Sequence, residues 1–192
     1  MTFQLFKIKP VILTFLVVNI FACSHPLPTH LIVDPKISVS PSNQLAYKKA
    51  QLSVIDMRTS PHIIQIIEED KAAVILSSLE RIEDISQRIL TSQWQKQGLS
   101  FNSLALNKMT VIIEKAIVSV EQKNVSYSAQ TEIIVNVKID NGKQTLTTTF
   151  KNRGYNEGSL DADITALEHN FNQQLSTVLK EVLTSNDINT FL

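Results

Sequence analysis

The chemistry-bearing residues of this 192-residue chain are few and scattered. One cysteine, Cys23, closes the segment Ile20-Phe21-Ala22-Cys23. A lone thiol cannot form an internal disulfide, and it leaves nucleophile, metal ligand or acyl acceptor as its roles. His25, His30, His62 and His169 are spread along the chain with no pair at helical metal spacing, whereas a zinc site wants three or four converging ligands. Ser126, Ser128, Thr145, Thr147, Thr148 and Thr149 offer hydroxyls, but there is no Gly-x-Ser-x-Gly elbow, Walker loop, Rossmann glycine set or His-Glu-x-x-His. Threonine on the wet side of a strand is a good strand former in any case. The sequence therefore predicts no catalytic set, no metal and no cofactor.

The surroundings of Cys23 favour acylation. Lys7 and Lys9 precede an apolar run from Val11 to Ala22 that carries no charge. Crossing the hydrocarbon core takes about 20 apolar residues, so this shorter run suits an export signal at residues 1–22. Ile20 breaks the small-residue rule for ordinary signal cleavage, and the segment resembles a bacterial lipobox. That resemblance implies cleavage after Ala22, diacylglycerol on the Cys23 sulfur and an N-acyl chain on the new amine. Two or three acyl chains hold a protein to a membrane firmly where one does not. The alternative is a conventional cut just beyond the cysteine, with Ala22 and Ser24 as the small pair. Ser24 after the cysteine resembles the sorting signal of outer-membrane lipoproteins, which implies a domain facing the periplasm.

Charge excludes one class of partner. Lysine plus arginine and aspartate plus glutamate number eighteen each, and loss of Lys7 and Lys9 with the signal leaves a slight acidic excess. There is no polybasic stripe of the kind that displaces counterions from nucleic acid.

Four prolines, Pro26, Pro28, Pro35 and Pro41, lie between Ser24 and Ser42. Proline favours extended chain, so residues 23–43 read as a tether with a short edge strand at Leu31-Ile32-Val33, and residues 44–192 as one domain. Strands are expected over Gln51 to Arg58, His62 to Ile67 and Ala73 to Leu76, the last two joined by a charged turn. Ser77 and Glu80 have capping-box spacing, so the first helix is expected over Ser78 to Gln97, with Gly98 as its stop.

After a further apolar run from Met109 to Val120, the odd positions from Val125 to Ile139 are apolar or small, and the even ones are polar except Ile134. Period two with one wet face predicts an antiparallel strand covered on the other face. Asn141-Gly142 predicts a two-residue hairpin turn into a strand over Lys143 to Lys151. Asn152 to Gly158 reads as a mobile polar loop. Ile164, Leu167, Phe171, Leu175, Val178 and Val182 step by three and four along a last long helix, with Asp161 and Asp163 at its start. The expected fold is α+β: a two-layer sandwich of a mainly antiparallel sheet with two amphipathic helices on one face.

Cys23, Val54 to Thr59, Asn124 to Tyr127, Asn141-Gly142-Lys143 and the closing Ile188 to Phe191 stand in the order and spacing of the YajG-like lipoproteins of Gram-negative bacteria, a family the chain resembles over nearly its whole mature length. The resemblance implies location and fold and transfers no catalytic residue. Asp56 and Arg58 are expected to be either an exposed grip for a partner or an ion pair closing the strand end. Trp94 is expected in the core and Tyr155, in the glycine loop, as an exposed anchor. With Lys138 on the wet strand face, these residues make the expected partner surface: a membrane-anchored, non-catalytic module that binds an envelope protein. The alternative expectation is a carrier of lipid or another apolar ligand between helices and sheet.

Overall fold

The structure, a computed structural model, describes residues 28–192. Ala22, Cys23, the expected signal and the start of the expected tether lie outside the described residues. Within them the chain runs β1 (His30–Leu31), β2 (Lys49–Asp56), β3 (His62–Glu68), β4 (Val74–Ser78), α1 (Ile82–Lys96), β5 (Ser100–Phe101), β6 (Asn107–Gln122), β7 (Ser126–Asp140), β8 (Thr145–Ser159), α2 (Ile164–Thr184) and α3 (Asn186–Phe191).

The long antiparallel ribbon β6-β7-β8 is the frame. β7 follows the period expected of it: Ala129, Thr131, Ile133, Val135, Val137 and Ile139 are buried, and the residues between them are half-buried or exposed. The same alternation runs through β6, whose Met109, Val111, Ile113, Ala116, Val118 and Val120 are buried. A bulge between Ile113 and Lys115 leaves both Glu114 and Lys115 exposed and switches the buried positions from odd to even.

The other edge of β6 departs from the expected sheet. β2 runs parallel to β6 along residues 107–113, and β3 runs parallel to it along residues 118–122, so two short strands lie end to end beside one long one. β4 adds antiparallel to β3, while β1 pairs parallel with β4 and β5 parallel with β2. The sheet is therefore mixed and curls as an open half-barrel; it is neither mainly antiparallel nor a simple two-layer sandwich. Alternation reports which face of a strand is wet and not the direction of its neighbour, so the parallel pairings left no mark in the pattern.

Arg58 spans the break between β2 and β3. Its Nε and Nη2 donate to the two carboxylate oxygens of Asp56 at 2.9 and 2.8 Å, and its Nη1 donates to the carbonyls of His62 and Ala116, both at 3.3 Å. Its side chain is 6 % exposed and that of Asp56 18 %. Partial burial opposes ionisation of Asp56, but the hydrogen bonds and charge of Arg58 outweigh it and hold the carboxyl below its ordinary range.

Four local expectations need correction. Ser77 and Ser78 end β4 and cap no helix, because β1 and β3 pair with their backbone. Helix α1 starts later, behind Arg81, and Glu80 pairs with Arg88 instead. The hairpin turn spans residues 141–144: Asn141 Oδ1 accepts from the amides of Lys143 and Gln144, and only Gly142 takes positive φ. The expected loop over 152–158 is the second half of β8. Its glycines are there for packing, since a Cβ would fall 2.1 Å from Gln174 Nε2 at Gly154 and 2.3 Å from the Tyr127 ring at Gly158. In the stretch expected as tether, Leu31 and Val33 are buried, and Ile37 and Val39 pack against the core.

Gly98 does end α1, at φ 94° with Ala46 against it, and Asp163 caps α2 by accepting from the Thr165 amide at 2.9 Å. Both helices lie over the inner sheet face, α1 on β2 and α2 on β7 and β8. Trp94 and Phe171, fully buried, fill the space between.

Arg58→Ala is expected to destabilise the domain by about 3 kcal/mol, since it strands a part-buried carboxylate and two carbonyls; Arg58→Lys restores little because the pairing is bidentate. Urea midpoints of the two variants measure this. Gly158→Ala is expected to cost about 1–3 kcal/mol by overpacking against Tyr127, and the loss shrinks in the Gly158→Ala/Tyr127→Ala double variant, measured the same way.

Candidate functional site: the open face of the sheet

With both helices on the inner face, the outer faces of β6, β7 and β8 carry the ribbon's exposed side chains. Register sets them in rows: Thr147, Lys138, Thr110 and Ser53; Thr149, Asn136, Ile112 and Ile55; Arg153, Glu132 and Ile117; Tyr155, Gln130 and Ser119. The rows are rich in hydroxyls and amides, with Ile112, Ile117 and Ile134 half-buried among them.

Glu132 is the centre of charge. Its Oε2 lies 2.5 Å from Lys115 Nζ, and its Oε1 lies 3.1 Å from Lys151 Nζ and 2.7 Å from Nε and Nη2 of Arg153. The carboxylate side chain is 17 % exposed, and the three cations are 49, 40 and 68 % exposed. Hydrogen bonds from Lys115, then from Arg153, hold the carboxyl down at about 2. One carboxylate on β7 thus gathers three cations from the two flanking strands, β6 and β8, and leaves a net positive patch in mid-face. Single-residue patterning could not reveal it, because Lys115 reaches this face only through the bulge.

The expected site residues fall in different places. Lys138 is exposed on this face, three rows from Glu132. Tyr155 stands on β8 and not in a loop, 57 % exposed, with its hydroxyl donating to Glu157; that bond holds its pKa above the ordinary phenol value. Asp56 and Arg58 are taken up by each other at the strand break and present no exposed grip.

Among the described residues the histidines do not converge. His30 is on β1 and His169 on α2, while His62 Nδ1 pairs with Ser60 Oγ and its Nε2 is buried without a partner. Among the described residues no cluster of three metal-ligating side chains occurs, and no helix is long and apolar enough to cross a membrane.

Sequence reading missed the seat of the N-terminal segment. Glu168 accepts from the Ile32 amide at 2.8 Å, and the Asn172 amide both donates to the Ile32 carbonyl at 2.9 Å and accepts from the Asp34 amide at 2.8 Å. Two side chains one helical turn apart on α2 therefore hold this extended stretch as a neighbouring strand would.

A family model described as "uncharacterized lipoprotein" matches residues 35–192. The chain belongs to this lipoprotein family. No curated protein matches it. Among solved structures, protein XCC0632 from Xanthomonas campestris, of family DUF330, has 14 % identity and a TM-score of 0.57 over 83 % of this chain and 96 % of its own. A protein from Helicobacter pylori described as a neuraminyllactose-binding hemagglutinin homolog has 12 % identity and a TM-score of 0.47, covering 84 % and 96 %. At 14 % identity the first likeness speaks to fold alone.

Glu132→Gln is expected to destabilise this family member by about 1 kcal/mol near neutral pH, a modest figure because solvent screens half-exposed pairs. The carboxyl titrates near 4.3 when unfolded and about 2 when folded. Its contribution is thus full above ~pH 5 and is lost as pH falls toward the folded value. Urea midpoints of wild type and variant should converge as pH is lowered; a pH-independent gap would contradict this electrostatic role.

Proposed function

We propose that the chain is a lipid-anchored, non-catalytic module of the bacterial cell envelope that holds a protein partner on the open face of its sheet. Cys23 carries diacylglycerol and an N-acyl chain after cleavage behind Ala22, and Ser24 directs the protein to the outer membrane with its domain in the periplasm. The observation that carries the reading is that both helices pack on one side of the sheet and leave the ribbon's other side uncovered, with three cations gathered on Glu132 at its centre. A flat polar face with fixed charges recognises a complementary protein surface better than it encloses a small molecule.

The tether supports the same reading. Six residues lie between Cys23 and the strand that begins at His30, and the seven steps reach at most about 25 Å, so the domain stays close to the membrane that anchors it. The carrier alternative is not favoured, because Trp94, Phe171, Leu175 and Leu179 fill the space between helices and sheet at full burial.

A photoreactive residue at Lys138 in the full chain is expected to give a discrete heterologous adduct in intact cells, and one at the exposed Glu181 on α2 is not. Glu132→Lys is expected to abolish that adduct. Identical adducts from both positions, or an adduct unaffected by the charge reversal, would contradict the assignment of the open face.

A further inference from the structure

Strand β8 is the one long strand of the ribbon with a free edge: it pairs with β7 over its whole length, and no strand among the described residues pairs with its other side. Unpaired amides and carbonyls along such an edge are a template for another strand, and chains usually blunt it with charge or cover it. Here the charges lie in an order that lets the strand match itself.

In an antiparallel pair of identical strands about a two-fold axis, residues opposite each other share a face, so the registers that keep β8's faces matched differ by whole steps of the axis. An axis at Arg153 sets that residue against its own copy. An axis at Gly154 sets Lys151 opposite Glu157 and Arg153 opposite Tyr155 on the open face, each twice by symmetry. The first is an ion pair, and the second a cation over an aromatic ring.

This register answers the charge imbalance within one chain. Lys115, Lys151 and Arg153 share the single carboxylate of Glu132, while Glu157 has, among the described residues, only the hydroxyl of Tyr155, two residues back on its own strand, for a side-chain partner. A second copy brings Glu157 to Lys151. On the helix side, the axis residue has no side chain, and the Gln174 amide lies across it with its Oε1 buried and unpaired. An axis at Gly154 sets the two Gln174 amides on either side of it.

We infer that two copies of this chain join through their β8 strands, residues 149–159 of each pairing antiparallel about Gly154, to make one continuous sheet with a shared open face. The surface fits a second copy by charge, and edge pairing supplies the main-chain hydrogen bonds.

The test is the mass of the full chain in detergent by size exclusion with light scattering over a dilution series, corrected for bound detergent. Wild type is expected at twice the chain mass at micromolar concentration. Lys151→Glu and Glu157→Lys are each expected to weaken the dimer about tenfold or more, since each change removes two symmetry-related pairs, and the double variant Lys151→Glu/Glu157→Lys restores it. That restoration separates lost pairing from lost folding. A monomeric wild type, single variants that dimerise normally, or a chain that purifies one-to-one with a different protein on this edge would overturn the inference. Rescue by Arg153→Glu/Glu157→Arg in place of the Lys151 exchange would move the axis off Gly154 and overturn it equally.

Discussion

The Arg58 guanidinium is the interaction on which the sheet depends. It binds the carboxylate at the end of β2, the carbonyl that opens β3 and a carbonyl of β6 beside the bulge, so one side chain closes the gap where two strands meet end to end along a third. Such a break ordinarily exposes unpaired carbonyls to the inside of the sheet. A planar group with five donors on fixed bearings satisfies them together, which lysine cannot do. The same contact commits Asp56 to ionisation, so the break is held by a pair in which each partner is costly to remove.

With that break closed, the inner face of the sheet is continuous enough for α1 and α2 to cover it side by side. The helices, the buried Leu31 and Val33 and the segment held by Glu168 and Asn172 all lie with the core, and the opposite face of the ribbon keeps its hydroxyls, amides and charges. The polar face follows from where the helices can pack. The chain's alternation on β7 and the bulge on β6 then decide which charges reach it. Glu132 collects its cations from β6 and β8 only because the bulge turns Lys115 outward.

Much of this was legible in the amino-acid sequence wherever one local rule acts alone. Period two located β7, steps of three and four located α2, and Gly98 and Asp163 marked helix ends at which nothing competes for the backbone. The failures have one physical character, in which a distant partner outbids a local signal. Ser77 and Ser78 carry a helix-start pattern, but their amides and carbonyls are worth more in pairs with β1 and β3. Asn152 to Gly158 has the composition of a loop. It is a strand because Gly154 and Gly158 admit Gln174 and Tyr127, contacts from other elements that composition does not encode. Arg58 and Asp56 were visible as a pair, but the carbonyls that make the pair structural belong to residues distant in sequence or in other strands. The charge cluster on Glu132 depends on a bulge, and a bulge is invisible until the register is known.

The anchored module stands or falls on the state of Cys23. Mass spectrometry of the N-terminal peptide from the chain purified out of cell membranes tests it directly. The account predicts a peptide that begins at Cys23 and carries diacylglycerol on sulfur with an acyl chain on its amine. A peptide with unmodified Cys23, or a mature chain that begins at any other residue, would contradict it.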